Sequence, residues 1–313
     1  MNRKAVKGFK DLIQRRIQSV VDRLKETMGG SAIELLQMNK GKRGRPYRYS
    51  DTEIVNASAF RFLMKMGLRQ TMVLVKNLAG KCASYSQLDR RLASIGLKWI
   101  VNRVKRKGRI ISIDGSGIAI NYRSDYRSSK YHVKQRFYKL HAEINSVTKK
   151  LLDYRLTSDR IGDNTEFLPM MKETASKGDT VCADGAYDAK ENFNYLDKKG
   201  IKALIRIRRN FSLNSKGSYA RRKAIAEQFG INTHRLKGRI RFLPTNDITF
   251  DKRMYYQDKW RRNSGYDVRT SVERFFSAFK ALFGGYASSR KLANVRKEML
   301  IKCITYNRLL EIK

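Results

Sequence analysis

The sequence predicts an α/β protein in which a mixed sheet flanked by helices, residues 101–313, is preceded by an all-α N-terminal domain, residues 1–100. Three observations predict this class. Apolar residues recur at helical spacing in the first hundred positions, between glycines and serines that end or begin helices. Short β-branched runs follow after residue 101. The later runs alternate with helical segments, an order that produces parallel strands.

The composition is strongly basic. Of 313 residues, 68 are Lys or Arg and 28 are Asp or Glu, which gives a net charge of +40. Such a surface favours a polyanionic partner, because every phosphate that a cation neutralises releases condensed counterions. Nucleic acid is the expected partner, in preference to an anionic membrane surface. No run of about 18 apolar residues is present to span a bilayer, so we expect no membrane association.

The cysteines and histidines restrict the kinds of metal site. Cys82, Cys182 and Cys303 lie far apart and form no CxxC pair, which argues against a disulfide framework or a zinc site. Only three histidines are present. A catalytic metal would therefore be held mainly by carboxylates, which favour hard cations such as Mg²⁺ or Mn²⁺.

The N-terminal domain begins with a basic amphipathic helix from about Lys7 to Thr27, followed by a basic loop at residues 40–49. Glycines and a proline among the bases argue against a helix or a central strand in this loop. Its Arg43-Gly44-Arg45-Pro46 core resembles an AT-hook, in which extended arginines enter the minor groove of A·T-rich DNA. The alternative is a basic linker that contacts only phosphates.

Three short helices complete the N-terminal domain. The first helix is predicted from Ser50, which forms a capping box with Glu53, to Gly67. The second runs from Thr71 to Ala79, and the third starts at Ser84 or Ser86. The third helix carries Arg90 and Arg91. Three such helices with a Gly-containing turn indicate a helix-turn-helix fold, whose third helix enters the major groove of double-stranded DNA. A helical bundle that only braces the next domain is the alternative.

The second domain opens with a short apolar strand that ends in Asp114, followed by Gly115. Gly117–Tyr122 is the expected second strand and Tyr138–Ser146 the third. The remaining predicted elements of this first half are an extended piece, Leu151–Thr157, and a helix, Asp163–Ala175, capped by Asp163 or Asn164.

A second apolar strand, Asp179–Ala183, also ends in an acid and a glycine, Asp184 and Gly185. Helix Lys190–Lys199 and strand Ile201–Ile207 then complete a right-handed β-α-β unit. Three neighbouring strands followed by this alternation are the order of an RNase H-like core. Three further segments follow: a basic insertion at about 210–262 with a helix near Ala220–Phe229, the segment Tyr266–Lys280, and a final helix at about Ser289–Leu310.

The segment Tyr266–Lys280 predicts an amphipathic helix with functional groups along one edge. Tyr266, Arg269, Glu273 and Lys280 are offset by three, seven and fourteen positions from the first, so they lie within about 60° of one another on a helix. An aromatic stripe occupies the adjoining arc, and Gly284 and Gly285 stand where a C-cap belongs. Spacing alone also fits an ordinary amphipathic helix with a solvated charged edge.

These four residues and their gaps match the C-terminal signature of insertion-sequence DDE transposases. Together with Asp114 and the segment Asp184-Gly185-Ala186-Tyr187, they make the chain from about Arg109 to its end resemble that family. The resemblance implies an RNase H-like fold and metal-dependent DNA cleavage at the terminal inverted repeats of an element, followed by strand transfer. It further implies a homodimer in the DNA complex and a cytoplasmic, nucleoid-associated place in a prokaryotic cell.

The resemblance also implies a role for each signature residue. Asp114, Asp184 and Glu273 would carry two Mg²⁺ (or Mn²⁺) ions. Three converging carboxylates repel one another by several kcal/mol at an effective dielectric near 20, and a bound cation relieves that repulsion. Arg269 and Lys280 would grip phosphate near the element end. Tyr266 would pack or hydrogen-bond beside them as part of the same DNA-binding set. Two other functions remain open: a transposase-derived DNA-binding protein without activity, and an RNase H-like structure-specific nuclease.

Overall fold

The computed structural model describes residues 33–36, 47–99, 108–120, 130, 137–208, 210–211, 218–231, 233–236, 239–242, 250–289 and 291–311. The predicted helix at Lys7–Thr27 lies outside these described residues. So do positions 40–46 of the basic loop, including Arg43 and Arg45.

The elements occur in the following order along the chain: β1 (Ile33–Leu36), α1 (Asp51–Leu63), α2 (Leu68–Ala79), α3 (Tyr85–Ser94), β2 (Gly96–Trp99), β3 (Ile110–Ile120), β4 (Phe137–Asn145), β5 (Leu151–Ser158), α4 (Asp163–Thr174), β6 (Thr180–Ala183), α5 (Lys190–Lys198), β7 (Lys202–Ile205), α6 (Tyr219–Phe229), β8 (Thr233–Leu236), β9 (Arg239–Phe242), α7 (Phe250–Ser264), α8 (Thr270–Phe283), β10 (Tyr286–Ala287) and α9 (Leu292–Leu309). Two short 3₁₀ turns, Gly185–Tyr187 and Tyr266–Arg269, precede α5 and α8.

The chain divides into two compact units. We call residues 1–102, 118–136 and 279–313 the helical unit, and residues 103–117 and 137–278 the sheet unit. The helical unit contains α1, α2 and α3 and also α9, which the sequence predicts to be part of the following domain. Among the described helices, none is long and apolar enough to cross a membrane.

Capping residues set the helix limits in the helical unit as the sequence predicts. The Ser50 Oγ accepts a hydrogen bond from the Glu53 amide at 3.2 Å, and the Glu53 carboxylate accepts one from the Ser50 amide at 2.7 Å. Ser84 and Gln87 form the same capping box at α3. Helix α2 ends at Gly80, whose φ of 71° lies in the left-handed region that glycine tolerates. The three predicted helices are therefore confirmed.

A small sheet corrects the expectation of an all-α N-terminal domain. Strand β1 pairs antiparallel with β2, with Ile33 opposite Trp99 and Leu36 opposite Gly96. The backbone leaves the helical region at Ile95, the residue that ends α3, where φ and ψ are −62° and 127°. The chain then continues as the extended strand β2. This change of backbone conformation follows directly on a helix, and the sequence analysis did not detect it.

A buried ion pair holds β10 against α9. The Glu298 and Lys302 side chains are almost completely buried, and the Lys302 Nζ lies 2.8 Å from the Glu298 carboxylate. The same Nζ donates to the Tyr286 carbonyl at 2.9 Å, and the Glu298 oxygens accept from the amides of Ser288 and Ser289 at 2.8 and 2.9 Å. Each charge therefore has several partners, which buried charges require.

The sheet of the sheet unit has the order β5-β4-β3-β6-β7. Strands β4 and β5 pair antiparallel, whereas β6 pairs parallel with both β3 and β7. Numbered by appearance in this sheet, the strands lie in the order 3-2-1-4-5, with helices α4, α5 and α6 packed on the sheet. This is the topology of an RNase H-like core, so the predicted mixed sheet flanked by helices is confirmed.

One predicted strand is wrong in its limits. Residues 117–120 form the end of β3 and not a separate second strand, which is instead β4. The reason is that Gly115 and Gly117 are not among the glycines with positive φ, and so they do not make a turn. The two residues lie in extended backbone beside bulky neighbours.

Helices α4, α5 and α6 confirm the predicted helices, although Gly162 and not Asp163 or Asn164 is the N-cap of α4. The predicted helix Tyr266–Lys280 divides into a 3₁₀ turn and α8, which ends before Gly284 at φ 80°. The insertion contains more structure than the sequence predicts, namely the hairpin β8–β9 and the 15-residue helix α7.

Lys302→Met is expected to lower the free energy of unfolding of the protein by about 3–5 kcal/mol, because the Glu298 charge would stay buried without its partner. The double variant Glu298→Gln/Lys302→Met removes both charges and is expected to lose much less. Urea unfolding of the wild type, both single variants and the double variant measures the coupling. Additive losses would contradict a buried, mutually dependent pair.

Candidate active site

Asp114 lies two residues beyond the part of β3 that pairs with β6, and Asp184 directly follows β6, the neighbouring parallel strand. In the pairing of β3 with β6, Ile110, Ile111 and Ser112 lie opposite Thr180, Val181 and Cys182. Continuing this register by two residues brings Asp114 beside Asp184, and adjacent strands are about 4.8 Å apart. The first two predicted acids are thus brought together just beyond the point where the pairing of β3 with β6 ends.

Burial and like charge act on Asp114. Partial burial raises the pKa of the Asp114 carboxyl to about 6, and the negative charge of Asp184 also raises it. The Gly115 amide, which donates to the Asp114 Oδ1 at 2.8 Å, and the nearby Arg269 act in the opposite direction. Asp184 is held similarly, because its Oδ1 accepts from the Ala186 amide at 2.8 Å and caps the following 3₁₀ turn.

Arg269 connects the first acid to the third. Its Nη1 lies 3.3 Å from the Asp114 Oδ2, and its Nη2 donates to the carboxylate of Glu273 one helical turn along the chain. The Glu273 side chain is half exposed, whereas Arg269 is mostly buried. One guanidinium therefore supplies the positive charge between two of the three predicted acids.

Tyr266 fixes this segment to the sheet. The Tyr266 side chain is buried, and its hydroxyl donates to the carbonyl of Ala183, the residue before Asp184, at 3.1 Å. Burial raises the pKa of the Tyr266 phenol above its usual value. The ring also packs on Trp260, with 5.1 Å between the ring centroids. These contacts give Tyr266 a packing role, and its expected contact with DNA stays a prediction.

A second layer of polar groups lies beneath Asp114 and was missed by the sequence analysis. The Asp163 Oδ1 lies 3.3 Å from the Nδ1 of the buried His141, and the Asp163 Oδ2 lies 3.3 Å from the Lys139 Nζ. The His141 Nε2 is 2.9 Å from the Thr157 hydroxyl. The close contact with His141 lowers the pKa of Asp163, whose charge in turn raises the pKa of Asp114.

Gly115 is the signal that identifies this layer. A Cβ at position 115 would lie 2.4 Å from the Asp163 Oδ1 and 3.4 Å from the His141 Nδ1. The glycine that follows Asp114 within β3 therefore reports a close approach from the opposite side of the backbone. From the sequence alone, Asp163 is predicted only as a helix cap.

The donor set suits a hard divalent cation. Within the described part of the chain, no group of three or more His, Cys, Asp and Glu side chains lies close enough to hold a metal ion. The neighbouring oxygens of Asp114 and Asp184 nevertheless fit Mg²⁺ or Mn²⁺, which prefer carboxylate ligands. The raised pKa of Asp114 next to a second carboxylate is also the condition that a cation relieves. Glu273 is oriented in this structure by Arg269.

The other predicted DNA contacts have different environments. Arg91 forms an ion pair with Asp51, donates to the Tyr49 carbonyl and lies over the Tyr47 ring at 3.6 Å. Arg91 therefore stabilises the helical unit. Arg90 is exposed, and its Nε donates to the Ser86 carbonyl at 3.3 Å. Lys280 lies in the last turn of α8 and is partly exposed. Contact of these three residues with DNA stays a prediction.

Comparison with known proteins identifies the family. Residues 105–308 match a family model described as "Transposase DDE domain", and residues 24–122 match a second model with the same description. The fold is also similar to that of the piggyBac transposase in a synaptic complex with hairpin DNA, with a TM-score of 0.45 and 9% sequence identity over 94% of this chain and 72% of that chain. Since the first family model alone matches more than half of the sequence, the chain belongs to the DDE transposase family.

Proposed function

We propose that this transposase binds the terminal inverted repeats of an insertion sequence and catalyses metal-dependent DNA cleavage and strand transfer. The juxtaposition of Asp114 and Asp184 just beyond the paired part of β3 and β6, with Arg269 linking Asp114 to Glu273, carries the proposal. A basic chain of net charge +40 is suited to a DNA substrate.

Asp114, Asp184 and Glu273 are the residues that would hold the metal, as two Mg²⁺ or Mn²⁺ ions. When bound, such a pair of ions activates a water or a 3′-hydroxyl and stabilises the leaving oxygen. The Gly115 and Ala186 amides orient the two aspartates, so that their free oxygens need not reorganise. Burial of Asp114 limits competition by water.

Arg269 is placed to bind a phosphate of the DNA strand. A guanidinium has five N–H donors in a planar fork, so donors other than those on Asp114 and Glu273 remain for a phosphate oxygen. Tyr266 fixes the position of the Arg269 turn against β6 through its hydrogen bond to Ala183. The His141–Asp163 pair supports the backbone at Gly115 from below.

The remaining assignments concern DNA binding and assembly. Arg43 and Arg45 would enter the minor groove, Arg90 and Arg91 would act from the helix-turn-helix-like region, and Lys280 would contact phosphate near the element end. Because two element ends must be paired, the DNA complex would be a homodimer. The protein would act on nucleoid DNA in the cytoplasm of a prokaryotic cell.

Asp114→Asn, Asp184→Asn and Glu273→Gln are each expected to reduce DNA cleavage by about a thousandfold or more, equivalent to about 4 kcal/mol of transition-state stabilisation. The substrate is a supercoiled plasmid carrying the gene with its flanking DNA, in the presence of Mg²⁺. Asp159→Asn, which removes an exposed acid before α4, is the matched control.

The products of the same assay separate the three candidate functions. Cleavage followed by strand transfer supports the transposase. Clean cleavage without strand-transfer products would indicate a nuclease, and specific DNA binding without nicking would indicate an inactive DNA-binding protein. A wild-type rate in any of the three variants would contradict the catalytic assignment.

Asp114→Asn is also expected to stabilise the protein in the presence of EDTA. The Asp114 pKa is about 6 in the folded protein and about 4 in an unfolded chain. The folded state therefore binds more protons between these values, and its stability falls as the pH rises through them. The variant should gain about 1 kcal/mol at pH 4.5 and about 3 kcal/mol at pH 7.5 in urea unfolding.

Magnesium provides the second readout of this experiment. Ions that bind only the folded state raise the free energy of unfolding of the wild type, whereas Asp114→Asn should gain little from them. Asp159→Asn should retain the wild-type response to magnesium. A stability gain in Asp114→Asn that shrinks with rising pH would contradict a repulsive, partly buried carboxyl.

A further inference from the structure

We infer that an arginine-lined pocket beside Asp184 is a binding site for the phosphodiester backbone of a DNA strand. The inference rests on the proposed function and assigns a role to the insertion at 210–262. The pocket encloses about 700 Å³ in the sheet unit and shares Asp184 and Arg269 with the candidate active site. Four further arginines line it, namely Arg206, Arg208, Arg253 and Arg261.

Two segments of the sheet unit contribute the arginines of this pocket. Arg206 and Arg208 follow directly after β7, whereas Arg253 and Arg261 belong to α7 in the insertion. Gln257, which is buried on α7, joins the two segments. The Gln257 Nε2 donates to the Ile207 carbonyl at 2.8 Å, and the Gln257 Oε1 accepts from the Arg206 Nε at 3.3 Å. The insertion helix is thereby fixed beside the acids.

The pocket retains an excess of positive charge. Its lining contains five arginines and two acids, Asp184 and Asp267. The Nε of Arg206 donates to a neutral amide, and the Arg208 guanidinium donates to the carbonyls of Gly185 and Ala186 at 2.7 and 3.1 Å. These partners neutralise neither charge. The pair between Arg261 and Asp267 is at 3.4 Å with both side chains at least half exposed, so solvent weakens it.

Preorganised guanidinium groups select the ligand. The contacts of Arg206 and Arg208 fix the positions of their side chains before a ligand arrives, which reduces the entropy lost on binding. Planar guanidinium forks match the oxygens of a phosphate. Because the pocket adjoins Asp184, its natural occupant is the phosphodiester chain that continues from the reacting bond. Inorganic phosphate would make the same contacts, and the experiment below distinguishes binding of inorganic phosphate from binding of a DNA strand.

Arg206→Gln and the double variant Arg206→Gln/Arg261→Gln test the site. Binding to the flanking-DNA fragment is measured over a range of KCl concentrations. Each lost phosphate contact should make the slope of log K against log[KCl] less negative by about 1. Arg206→Lys keeps the charge and should keep the slope. Arg160→Gln, at an exposed arginine outside the pocket, is the matched control.

The cleavage rate of Arg206→Gln at saturating DNA should fall about tenfold relative to Arg160→Gln. Titration of inorganic phosphate and of a single-stranded pentanucleotide then distinguishes the two ligand sources. The pentanucleotide should bind Arg206→Gln about tenfold more weakly than wild type. If Arg206→Gln binds the pentanucleotide as tightly as the wild type and loses affinity only for inorganic phosphate, the assignment to a DNA strand is overturned.

The outcomes separate this inference from the proposed function. If the wild type cleaves and Arg206→Gln matches Arg160→Gln in both slope and rate, the pocket assignment is overturned while the transposase function stands. If the wild type does not cleave but the slope changes in Arg206→Gln, the pocket is supported as a DNA-binding site and the proposed catalytic function fails.

Discussion

The parallel pairing of β3 with β6 is the constraint on which the candidate site depends. Its register places Asp114 beside Asp184, so two carboxylates are fixed close together in partly buried surroundings. Main-chain amides determine which oxygen of each acid is held. Positive charge must compensate for the repulsion that remains, and in this structure Arg269 supplies it.

The segments after the sheet are arranged around this pair of acids. Tyr266 attaches the Arg269 turn to β6, and Gln257 attaches the insertion helix α7 to the end of β7. Both attachments use buried side chains and main-chain carbonyls, which gives them defined geometry. The insertion is consequently part of the architecture of the site, although it is far from Asp114 along the chain.

The sequence predicts the reactive residues of the site better than the residues that hold them in position. Asp114 and Asp184 are recognisable because each ends an apolar run and precedes a glycine, and Glu273 belongs to a motif with fixed gaps. Periodicity predicts α1 to α6 because their apolar faces and caps are local features. Asp163 beneath Gly115 depends on contacts between residues about fifty positions apart, so no local pattern contains it. Helix α7 is basic and polar, which hides its period.

Gly115 does no chemistry, yet it limits how this protein can evolve. Any side chain at position 115 would occupy the space of the Asp163 carboxylate and separate it from His141. Substitution there would disturb the backbone amide that orients Asp114. Evolution at position 115 is therefore coupled to position 163, because a larger residue at the first requires the carboxylate at the second to move.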